Sequence, residues 1–149
     1  MQRDYSVDSA AVALTAGTAK SIIGLSTSAG VPIDLVELLV SADATATGLL
    51  KVELMTATAD GTGTGYTPKP VNAGGRLVAA TTTAKIAYSA EPTTPTVLQT
   101  FTLVTPTGPI DIMKALGREL TIPVSTLFYV RLTPTTVSFN GFVCLTFEE

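Results

Sequence analysis

From Val137 to Glu149 the chain alternates in a way that admits one secondary structure. Val137, Phe139, Gly141, Val143, Leu145 and Phe147 fall on one register, and Ser138, Asn140, Phe142, Cys144, Thr146 and Glu148 on the other. Period-two alternation of this length belongs to a β-strand with one face in a core. A terminal strand so patterned is expected at the centre of a sheet, and the rest of the chain has to supply an opposing sheet. Thr126–Leu132 is a second β-rich run, and Thr133-Pro134-Thr135-Thr136 is a polar break between the two. Pro134 suits a turn, so the two runs are expected to form an antiparallel hairpin.

With 149 residues the chain is long enough for one domain with a real core. Charged residues make up 14% of it, against roughly 25% in an average soluble protein. Mean hydropathy is +0.42, yet no apolar run approaches the roughly 18 residues of a membrane-spanning helix. The surface is therefore largely Thr, Ala, Ser and Gly, which gives little repulsion between copies and suits a protein covered in an assembly. A net charge of −3 without a basic block argues against nucleic acid as partner. The single cysteine, Cys144, excludes an internal disulfide and reads as a small hydrophobe on the outward register. Met1–Tyr5 leads into no apolar core, so no secretory leader is expected and folding in a cytoplasm is.

Residues 1–18 read as a short edge strand around Ser6–Leu14 or as an extended arm that orders against a neighbour. Residues 19–149 read as a single β domain. Lys20–Ser26, Gly48–Thr58, Arg76–Ala80, Ala84–Ala90 and Val97–Thr105 are strand-like. Pro32–Ala42 fits a short helix by the spacing of Ile33, Val36, Leu39 and Val40, or a strand by alternation; the β pattern around it favours the strand. Ile110–Glu119, with Gly117 near its end, allows one helical turn. Asp60–Gly75 lacks periodicity, and Gly61-Thr62-Gly63-Thr64-Gly65 reads as a flexible hairpin tip. Many short strands with frequent turns predict an all-β antiparallel sandwich of jelly-roll type, with at most one short helical turn.

Residues for chemistry are scarce. There is no histidine, so the commonest general base is missing, and a zinc or transition-metal cluster has no ligand set. No Ser-x-x-Lys or Gly-x-Ser-x-Gly pattern occurs, and the glycine run lacks the Gly-Lys-Ser/Thr ending of a phosphate loop. Asp60 alone is a weak start for calcium. The reading is of a protein that is no enzyme and needs no cofactor. Tyr66, Pro68, Lys69, Pro70 and Arg76 are the candidate interface residues: proline-restricted backbone docks at low entropic cost, and tyrosine supplies rigid contact area.

The serial order of several short segments carries a resemblance. Ala19-Lys20-Ser21-Ile22-Ile23-Gly24 is followed by Leu49-Leu50-Lys51-Val52-Glu53-Leu54. A proline loop closed by Gly75-Arg76 comes next, then Ala84-Lys85 and Tyr88-Ser89-Ala90-Glu91-Pro92-Thr93. Leu116-Gly117-Arg118-Glu119 and the terminal Phe147-Glu148-Glu149 complete the series. From about Ala19 onward the chain resembles the decoration (minor capsid, or cement) proteins of tailed bacteriophages. Residues 1–18 have no counterpart there.

The resemblance implies a structural virion protein: a β-sandwich subunit, a trimer or similar homo-oligomeric ring, seated on the capsid exterior after synthesis in the bacterial host. Its partners would be the major capsid protein and itself, with neither nucleic acid nor membrane involved. The alternative is a receptor- or carbohydrate-binding β module of a tail fibre or baseplate, which predicts a groove with exposed aromatics.

Overall fold

The computed structural model describes residues 3–45, 47–71, 78–105, 109–113 and 119–149. They form two antiparallel sheets packed face to face, an all-β sandwich with no helix among the described residues. In chain order the strands are β1 (Asp4–Asp8), β2 (Val12–Leu14), β3 (Lys20–Ser26), β4 (Ile33–Ala42), β5 (Gly48–Ala57) and β6 (Thr62–Tyr66). Then come β7 (Lys69–Pro70), β8 (Thr83–Ala90), β9 (Thr96–Thr105), β10 (Ile110–Met113), β11 (Leu120–Ile122), β12 (Leu127–Pro134) and β13 (Phe139–Glu148). The seven-stranded sheet runs β10-β4-β13-β1-β7, with β11 also on β4 and β2 also on β13. The six-stranded sheet runs β6-β8-β3-β12-β5-β9.

The terminal strand is central, as its alternation predicts. β13 pairs with β4 on one side and with β1 and β2 on the other. Its inner register, Phe139, Gly141, Val143, Leu145 and Phe147, is buried, while Phe142 on the outer register is exposed. Each fully buried Leu, Val or Phe here removes apolar surface from water and contributes about 1.5–3 kcal/mol before ordering costs. Tyr5 and Phe147 stack at 5.6 Å between centroids across the β1–β13 pair.

Two bulges decide which side chains reach the core. The Pro32–Ala42 run forms a strand from Ile33 onward, but its alternation breaks where the β4–β13 register shifts between Thr146 and Phe147. Ile33 and Leu35 are buried before that point, Leu38 and Val40 after it. One extra residue turns the strand's inward face over. A second shift, at Val130/Arg131 in the β3–β12 pair, lets consecutive Ile22 and Ile23 both be fully buried.

Five expectations are corrected. β12 and β13 are no hairpin: Thr133 and Pro134 stay in the ladder opposite Lys51 and Leu50 of β5, and the chain then crosses to the other sheet. Both runs carry an apolar face, and placing them in opposite sheets buries each against the other. Of the two readings of residues 1–18 the strand holds over the described residues 3–18, though not at an edge, because β1 lies inside the sheet between β13 and β7 with Tyr5 and Val7 buried. Gly61–Gly65 is no flexible tip: Thr62–Tyr66 is the edge strand β6 on β8. A β-carbon on Gly61 would lie 2.3 Å from the Ala90 carbonyl oxygen, so glycine serves close approach there. Ile110–Met113 is a strand on β4, not the start of a helical turn; residues 114–118 lie outside the described residues. Val78–Ala80 is likewise not a strand.

Candidate functional site

The proline loop predicted as an interface links the two sheets at one side of the sandwich. Tyr66 ends β6 half-buried against the core, and the Lys69 ammonium lies 5.6 Å from its ring centroid. Lys69 and Pro70 form β7 opposite Ser6 and Tyr5 and are exposed. Pro68 is buried, so its ring is used inside the fold. The structure thus brings Tyr66, Lys69 and Pro70 together at one rim and withdraws Pro68. Arg76 lies outside the described residues.

The most concentrated polar constellation is elsewhere, over the outer face of the six-stranded sheet. Asp60 accepts hydrogen bonds from Tyr129 Oη at 2.8 Å and Tyr88 Oη at 3.3 Å, and is ion-paired with Lys85. Burial raises the Asp60 pKa, but the donors from Lys85 and Tyr129 outweigh it and hold the carboxyl below its ordinary value. Burial and the Asp60 charge push both tyrosine hydroxyls well up. The rings meet edge to face at 5.7 Å and 77°, packed on Met55. Gly24 lies beneath them; its missing side chain makes room for the rings. With its carboxylate saturated by donors, Asp60 acts as a staple tying the β5–β6 crossing to the sheet. Sequence reading missed this group. Its available signal was Tyr88 and Tyr129, two large aromatics in strand-like runs.

A second staple lies on the same face. Glu53 is buried and receives Lys51 Nζ at 2.7 Å and Arg131 at 2.9 Å. Burial raises its pKa, and the Lys51 and Arg131 contacts reverse that, leaving it lowered. Next to this trio the sheet is uncharged and apolar: Leu49, Val97, Leu98 and Val104 on β5 and β9 are each 44–51% exposed.

The outer face of the seven-stranded sheet has the opposite character. Asp4, Glu148 and Asp34 sit directly opposite one another on β1, β13 and β4. Burial and the charges of Asp4, Asp34 and Glu119 raise the Glu148 pKa. Asp8, Glu37 and Asp111 share that register, with Lys69 as the described cation among them. Cys144, across from Asp8, is half-buried; burial and Asp8 push its thiol up to about 12, so it is not a thiolate at neutral pH.

Among the described residues no cluster of three or more His, Cys, Asp or Glu is placed to hold a metal ion. No described helix is long and apolar enough to cross a membrane. No family model, curated protein or solved structure matches this chain.

Proposed function

We propose that this chain is a structural subunit of a tailed-phage particle that binds the outside of the capsid as an oligomer and stabilises the shell by bridging major capsid proteins. The observation that carries this reading is the pair of strands β5 and β9, on which four large aliphatic side chains stay close to half exposed. A surface of this kind gains by being covered, at about 25 cal/mol per Å² of apolar area before ordering costs. The serial resemblance to decoration proteins supplies the lattice, and the Thr-rich, charge-poor exterior is consistent with it. Multivalent attachment of an oligomer then multiplies weak contacts through effective concentration.

Charge distribution supports an orientation on the shell. The acidic outer face of the seven-stranded sheet hydrates well and faces solvent, while the neutral side and the Tyr66–Pro70 rim are available for contact.

The experiment is reconstitution: purified protein is mixed with capsids lacking it, and particle-bound protein is quantified after sedimentation. Saturable, stoichiometric binding that raises the shell's melting temperature is the predicted result. Absence of binding, together with specific retention on a glycan array, replaces this reading with the fibre or baseplate module.

A further inference from the structure

We propose that the Glu149 side chain is an acid-released clasp: it holds residues 78–82 across one end of the sandwich, and its protonation opens that end before the rest of the fold melts. Glu149 continues the inner register of β13, two residues past the buried Phe147. One of its carboxylate oxygens accepts the Thr82 N–H at 2.6 Å and the Thr81 Oγ1 hydroxyl at 3.2 Å. The other accepts the Thr81 N–H at 2.9 Å. β13 belongs to the seven-stranded sheet, whereas Thr81 and Thr82 lead directly into β8 of the six-stranded one. One carboxylate thus ties the two sheets together.

The tied segment is built to open locally. Residues 78–82 belong to no strand, and Ala79 and Thr81 are exposed. Segments outside a ladder and near the surface open at lower free energy than the core. Two further ties reach it, from Tyr5 Oη to the Val78 carbonyl at 3.1 Å and from Thr81 Oγ1 to Ser28 Oγ at 3.4 Å. Between the segment and Arg3, Tyr5 and Val31 lies a cleft of about 180 Å³. Release of the clasp widens this cleft and uncovers Tyr5, which is 1% exposed in the closed form.

The trigger is the carboxyl itself. Arg3, Tyr5 and Glu149 are the titratable groups lining the cleft, and of these side-chain types only a carboxyl changes charge in weak acid. The β3–β4 turn contributes Ser28 and Val31, which do not titrate, and Glu148 lies on the opposite register. Burial raises the Glu149 pKa, but the donors of Thr82 and Thr81 outweigh it and hold the carboxyl below its ordinary 4.5. The clasp is therefore closed above that value and opens as pH falls through the lower, folded-state one. Protonation removes the charge that strengthens all three hydrogen bonds.

Amide hydrogen exchange of the full chain tests this, read residue by residue by NMR from about pH 7 to about pH 3 and corrected for the intrinsic exchange rate. Protection of the Thr81 and Thr82 amides is expected to fall at least about tenfold in acid, while the amides of β12 keep theirs. Glu149→Gln, which carries no charge and does not titrate, should show the low protection at Thr81 and Thr82 already at pH 7, with no further fall. Protection that holds in acid overturns the proposal. So does a fall shared equally by β12, which is global melting, or a Gln variant that keeps the parent's profile. Should that variant not fold, the parent's own profile, Thr81 and Thr82 against β12, decides.

Discussion

The Tyr88 hydroxyl occupies the volume that a β-carbon on Gly24 would need: the two would stand 2.0 Å apart. The Tyr129 ring would be 2.8 Å from the same atom. Gly24→Ala must therefore displace both rings and, with them, the donors that Asp60 receives. Overpacking and lost hydrogen bonds together predict a loss of about 3 kcal/mol, read from urea unfolding. A loss below about 0.5 kcal/mol would show that the rings move aside freely.

Asp60 is the acid-sensitive point of that staple. Its folded-state pKa lies below the ordinary 3.8, and Glu53 lies below 4.5. A lowered carboxyl contributes stability that is complete above its ordinary value and is lost as pH falls through the folded one. Stability should therefore drop on acidification past these values. Asp60→Asn should cost about 2 kcal/mol at pH 7 and shrink the acid-induced drop. An unchanged pH profile in the variant would mean that Asp60 does not titrate with folding.

Residues 1–18 are expected to matter for folding. Tyr5 is buried, stacks on Phe147, and donates its hydroxyl to the Val78 carbonyl at 3.1 Å. Tyr5→Ala should cost about 4 kcal/mol, and deleting Asp4–Asp8 should leave a chain without a cooperative melt. A deletion variant that melts like the parent would restore the arm reading.

On the acidic face the sign reverses. The pKa of Glu148 is raised in the fold, so its ionised form opposes folding at neutral pH and the opposition fades as pH falls through that value. Glu148→Gln should stabilise by a few tenths of a kcal/mol at pH 7 and low salt, with the gain vanishing at high salt. Destabilisation under both conditions would show that Glu148 has a favourable partner.

Period-two alternation made β13, β5 and most of β9 legible, because each presents one face to a continuous core. It failed where bulges break the period, as between Leu35 and Leu38, and where pairing spans long sequence distance, as for β12 and β13. A polar break such as Thr133–Thr136 looks the same whether the chain turns back within a sheet or crosses to the other. Glycines at 61, 63 and 65 read as freedom in the sequence, although close approach to the β8 backbone makes the first necessary and leaves the second tight: a β-carbon on Gly61 would lie 2.3 Å from the Ala90 carbonyl oxygen and one on Gly63 3.1 Å from the Ile86 oxygen. Composition singles out Tyr66, Lys69 and Pro70, which the fold brings to one rim, but also Pro68, which is buried. The Asp60 staple was not, since Asp60, Tyr88 and Tyr129 meet only through the sandwich topology.

The most direct measurement is a symmetry-averaged cryo-electron microscopy map of particles carrying this protein, compared with particles lacking it. The account predicts added density of sandwich size at repeated positions on the shell exterior, with the Asp4–Glu148–Asp34 face towards solvent. Identical shells in the two maps, with the protein found only on the tail or free in solution, would contradict it.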